Sequence, residues 1–107
     1  MKDFLACIRA DLSGADFSFH YLASTNFSWA NLKGASFSQS ILEGVDFSRA
    51  NLTGASSYAA HGVGQNFYGA NLYGTDFSTW DFTDSKADRE TEWPEVFDPV
   101  AAGVIFD

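Results

Sequence analysis

From Cys7 to Phe82 the chain places a core-type residue at every fifth position, and that interval decides what it can fold into. The positions read Cys7, Leu12, Phe17, Leu22, Phe27, Leu32, Phe37, Leu42, Phe47, Leu52, Ser57, Gly62, Phe67, Leu72, Phe77 and Phe82, and thirteen of the sixteen are Leu or Phe. A period of five fits neither the 3.6-residue turn of an amphipathic helix nor the two-residue alternation of a half-buried strand. The chain must therefore coil about its own axis and send one large residue inward from each unit.

The rest of each unit agrees. Two residues before the large one stands a small side chain, as at Ala10, Ala15, Ala30, Ala35, Ala50, Ala55 and Ala70, and Asn, Asp or Ser usually lies between. Two residues after it comes glycine at seven places, suited to a corner because it reaches positive φ without steric cost. A second period of twenty gives the number of sides. Ala10-Asp11-Leu12-Ser13-Gly14 returns at Ala30, Ala50 and Ala70 almost unchanged, so each side recurs every fourth unit. Four coils of four sides, stacked at strand spacing, predict a stem about 20 Å long.

The tandem motif Ala-(Asp/Asn)-(Leu/Phe)-x-x resembles that of the pentapeptide-repeat family over about three quarters of the chain. The resemblance implies an all-β fold, a right-handed quadrilateral β-helix, with the large residue and the preceding small one inside. Residues 1–84 are expected to form this solenoid. Residues 85–107 are expected to form a C-terminal cap, because an open solenoid end exposes core rings and strand edges. Within the cap, Ser85 to Trp93 is polar and reads as helix-forming, and Trp93, Val96, Phe97, Val104, Ile105 and Phe106 are the residues expected to cover the end. Trp93-Pro94-Glu95-Val96-Phe97-Asp98-Pro99 is similar to the family's Trp-Pro-Glu-Gly-Phe-Asp-Pro tail, with Val96 in place of Gly.

The pattern weakens at residues 55–64, where Ser57 and Gly62 occupy inward positions, yet Phe67 arrives on schedule. That keeps the register, and neighbouring rings are expected to fill the gap. No catalytic constellation can be assembled: neither His20 nor His61 has a nucleophile at a recognisable spacing, and the two with Cys7 make no zinc pattern. Cys7 lies in the inward register and reads as a small core residue. The expectation is a non-enzymatic protein with no cofactor and no metal.

With 14 Asp and Glu against 6 Lys and Arg, direct nucleic-acid binding and docking on anionic membranes are disfavoured. A lone cysteine and the lack of a long apolar run point to a cytoplasmic protein. Family resemblance implies a protein partner, and in its sharpest form an acidic DNA mimic that inhibits a topoisomerase or a phage-defence nuclease, with Asp11, Asp16, Asp46 and Asp76 on its surface. The rival expectation is an interaction scaffold, or a self-associating homodimer, that binds through outward-facing Tyr21, Trp29, Ile41, Tyr58, Tyr68 and Tyr73. Tyr21 and Ile41 stand at equivalent places where Asn or Asp would be expected.

Overall fold

The structure, a computed structural model, describes residues 7–76 and 80–107. Phe77, expected in the core, lies outside the described residues. The chain winds as a right-handed quadrilateral β-helix, and the repeat explains each bond of it. The N–H of a central residue donates to the coil above, as Leu12 does to Asn31 O at 2.8 Å, while the N–H of Asn31 donates down to Ala10 O at 2.9 Å. The resulting parallel bridges run Asp11 to Asn31 to Asn51 to Asn71 along one side. Each corner is a turn in which the third residue after the centre donates back to it, as Ala15 N to Leu12 O at 3.0 Å.

Two local features make the corners. The Asn or Asp before the centre accepts the N–H two residues on, for example Asn31 Oδ1 from Lys33 and Asp46 Oδ1 from Ser48. The residue two after the centre is left-handed, which defines a type II turn. Glycine fills every such place on one edge, Gly14, Gly34, Gly54 and Gly74, with φ between 69° and 74°.

Inside, Leu22, Phe27, Leu32, Phe37, Leu42, Phe47, Leu52, Phe67, Leu72 and Phe82 are buried, and Leu12 and Phe17 on the first coil are half-buried. Rings of successive coils stack face to face: Phe17 on Phe37 at 5.4 Å, Phe27 on Phe47 at 5.7 Å, and Phe47 on Phe67 at 5.5 Å. Polar residues at the small inward position donate to carbonyls of the coil below, as Thr75 Oγ1 does to Leu52 O and Gln65 Nε2 to Leu42 O.

Residues 55–64 keep the register. Ser57 is buried and donates its hydroxyl to Asp76 O, and Gly62 brings its backbone against Leu42 and Glu43 of the coil below. One coil on, Trp80 occupies a small-residue position and packs edge-on against Phe47 and Phe67 at 6.0 and 5.7 Å, adding a large buried ring to the core.

The stretch 85–93 forms no helix. It continues the coil, with Lys86 bridging Asn66 and Glu92 bridging Asn71. The offset rises from 20 to 21 between these bridges, so one extra residue is inserted between them. Strand β1 (Lys86–Ala87) then pairs in parallel with β2 (Ile105–Phe106). Trp93 and Phe97 carry the ring stack onward from Phe82 at 5.8 and 5.2 Å, and Val104 is buried. Val96, Ile105 and Phe106, expected to cover the end, are exposed instead: the turn closed by Phe97 N on Pro94 O points Val96 outward.

Candidate interaction surfaces

The fold sorts the outward residues onto four sides. The first carries the Phe27, Phe47 and Phe67 centres, the second Leu32, Leu52 and Leu72, the third Phe17, Phe37 and Ser57, and the fourth Leu22, Leu42, Gly62 and Phe82.

On the fourth side, the position that on the first and second sides holds the corner-capping Asn or Asp is given to Tyr21, Ile41 and His61, which bridge one another in a single column. Such a column forgoes side-chain caps each worth about 1 kcal/mol. Tyr21 is 76% exposed, Ile41 is half-buried beside it and His61 is exposed. The adjoining corner adds Phe19, also 76% exposed and at φ 61°, and Tyr58. Phe19, Tyr21, Ile41, Tyr58 and His61 thus form one continuous strip along three coils.

The other candidates lie apart. Trp29 and Tyr68 are on the corner between the first and second sides, where the Tyr68 hydroxyl bonds Asp107. Tyr73 stands exposed on the corner after the second side. Asp46 belongs to the first side, Asp11 to the second, and Asp16 and Asp76 to the third, separated by Ser36 and Ser56. The acids do not converge, and most are engaged in their own turns. The Ser18 hydroxyl and backbone N–H hold Asp16 below the ordinary carboxylate value of 3.8, and those of Thr83 do the same for Asp81. At Asp88 withdrawal from water opposes the charge, but the N–H groups of Gly69 and Glu90 and the Thr91 hydroxyl outweigh it and lower its pKa as well.

The sequence reading missed a third feature, the column Arg9, Trp29, Arg49 and Gly69 on the first corner. Its first three members hold left-handed φ of 61°, 63° and 58°. For side chains of this size that conformation costs about 1–2 kcal/mol each. The Arg9 and Arg49 guanidinium carbons lie over the Trp29 ring, 4.9 and 5.3 Å from its centroid. The signal was available in the sequence: the chain's three arginines, Arg9, Arg49 and Arg89, are spaced by forty residues, two full coils. Among the described residues, no group of three or more His, Cys, Asp or Glu could hold a metal ion.

A right-handed β-helix of five-residue repeats, bearing separate surface strips and a core filled by its own rings, is a binding or structural fold. The family model for pentapeptide repeats (8 copies) matches residues 30–56. The chain is similar to the crystal structure of alr5209, a pentapeptide repeat protein from Nostoc Pcc 7120, at 27% identity and a TM-score of 0.62, covering 97% of this chain and 86% of that one. It is similar to Rfr23, a pentapeptide repeat protein from the cyanobacterium Cyanothece 51142, at 27% identity and a TM-score of 0.51, covering 82% and 56%. A trypsin-treated form of QnrB1, a plasmid-mediated fluoroquinolone resistance protein, shares the fold at 22% identity and a TM-score of 0.66, covering 75% and 44%. The chain thus spans less than two thirds of Rfr23 and QnrB1. No curated protein sequence matches it. The protein is a pentapeptide-repeat protein.

Proposed function

We propose that this is a non-enzymatic module that binds a protein partner through the apolar strip of Phe19, Tyr21, Ile41, Tyr58 and His61. One observation carries the reading: three successive coils replace the corner-capping residue by Tyr21, Ile41 and His61. Local rules are given up where function requires it. Charge supports the alternative, duplex mimicry, less well. The molecule is 37 Å long. Duplex DNA carries one negative charge per ~1.7 Å, so a duplex of that length bears about 22, against a net −8 here.

The test is affinity capture from a bacterial lysate with the full-length protein, its Tyr21→Asn/Ile41→Asn variant, and washes of salt or duplex DNA. Capture that survives salt and disappears with the variant supports the apolar strip. Capture that is eluted by duplex DNA and indifferent to the variant supports mimicry instead.

A further inference from the structure

We infer that the corner built by Arg9, Trp29 and Arg49 is a second binding edge, one that takes an extended acidic segment of a partner protein with a carboxylate at every third residue. The observations behind it are independent of the apolar strip and lie on a different side of the stem.

The corner is strained where glycine was available. The neighbouring edge uses Gly14, Gly34, Gly54 and Gly74 at the same structural position, whereas this one, like the edge of Phe19, Gln39 and Ala59, places non-glycine residues there at positive φ, and it alone puts Arg, Trp and Arg in that column. Residues held in sparsely populated backbone regions cluster at binding sites. What the strain purchases is geometry: the indole of Trp29 holds one guanidinium from the coil below and one from the coil above. Trp29 keeps half its surface in water, so the edge is accessible.

The chemistry of the ligand is shown by the chain itself. Gly69 continues the column without a side chain, and across that gap Arg49 meets the Glu90 carboxylate at 3.5 Å. Arg89 precedes Glu90 and follows Asp88, whose carboxylate accepts the Gly69 N–H, so the third arginine belongs to the same corner region. The Arg49–Glu90 pair is exposed on both partners and holds weakly, so an incoming carboxylate can displace it.

The spacing selects the conformation. Arg9 and Arg49 stand two coils apart, ~9.6 Å at strand spacing. A polyproline II segment has three residues per turn and rises ~9.3 Å over them, so its residues i and i+3 share one face at that interval. In a β-strand residues i and i+3 point to opposite faces. One carboxylate per ~9.3 Å is also several times sparser than duplex phosphate, so the net negative charge of the protein opposes nucleic acid more than it opposes such a peptide. Acids more than about 8–10 Å from the corner are screened at physiological salt.

The experiment is a fluorescence-anisotropy titration of the full-length protein with a labelled peptide of four Glu-Pro-Pro units, in about 0.15 M salt. A peptide of four Glu-Pro units and a Gln-Pro-Pro peptide serve as controls. Saturable binding of the Glu-Pro-Pro peptide is expected, at least fivefold tighter than either control. Arg9→Gly/Arg49→Gly should weaken it at least tenfold with an unchanged or raised thermal midpoint, because glycine suits both backbone positions. Glu90→Gln, which removes the internal competitor, should tighten it about twofold or more. Equal affinity for the two Glu peptides, no effect of the glycine variant, or tighter binding of a single-stranded oligonucleotide than of the peptide would each overturn the inference. None of these outcomes bears on the apolar strip, which the substitutions do not touch.

Discussion

A carboxylate or amide one residue before the centre is the smallest working part of this molecule, because it caps the next corner from the side. Asp88, one residue after the inward Ala87, caps from a different place and does so twice, accepting from Gly69 N and Glu90 N at 3.1 Å each. Its pKa is lowered in the fold, so its contribution is fully present above the unfolded value near 3.8 and is lost as pH falls through the folded value. Asp16 and Asp81 are lowered too and act in the same window. Urea midpoints are therefore expected to be insensitive to these groups from neutral pH to about 5 and to fall below about 4. Asp88→Asn should flatten part of that fall, and an unchanged acid limb would remove Asp88 from the account. Gly62 is a different kind of residue. A Cβ there would lie 2.7 Å from Leu42 C and closer still to Glu43 N, both backbone atoms that cannot swing away. Gly62→Ala should cost about 3 kcal/mol, the upper end for overpacking, whereas Gly54→Ala, with open space around it, should cost about 1 kcal/mol from its left-handed φ alone. Chemical denaturation of the two variants side by side checks the difference.

The coils show which elements sequence could reveal. Leu32, Phe37, Leu42, Phe47 and Leu52 were legible because each inward place holds a large apolar residue at a fixed interval. Trp80 was not, because it stands where the repeat expects something small. Nor was the continuation through Lys86, Ala87 and Glu92: Ala87 is too small to mark the interval, and the inserted residue then breaks it. The surface strips were half legible. Tyr21 and Ile41 were visible as departures from Asn and Asp, but the Arg9–Trp29–Arg49 column needed the left-handed corner to become one object. For the third and fourth coils Trp80 is the joining piece, touching Phe47, Phe67 and Phe82. Trp80→Ala should therefore cost about 3–5 kcal/mol, measured by chemical denaturation. A loss under about 1 kcal/mol would show that the coils join without it.

In a solenoid each coil touches only its neighbours, so stability is a sum along the axis and can dip locally. The weakest joint inside this one is expected between Ser57 and Val63. There the ladder is thinned: Asp76 N reaches Ala55 O only at 3.4 Å, and Asp76 O is taken by the Ser57 hydroxyl. On either side the bonds are regular, as at Phe37 N to Ser56 O and Phe67 N to Lys86 O, both 2.8 Å, and the rings above and below are buried. Local opening free energy follows buried apolar contact and backbone bonding. Native-state hydrogen exchange should accordingly find one slow block from about Leu32 to Leu52, a faster interval from Ser57 to Val63, and renewed protection from Phe67 to Leu72. The half-buried Leu12 and Phe17 should exchange earlier than the centre of the first block. Exchange that is uniform from Leu32 to Leu72 would mean that Trp80 and Gln65 restore at the joint what the missing rings remove, and the molecule would then open as a single unit.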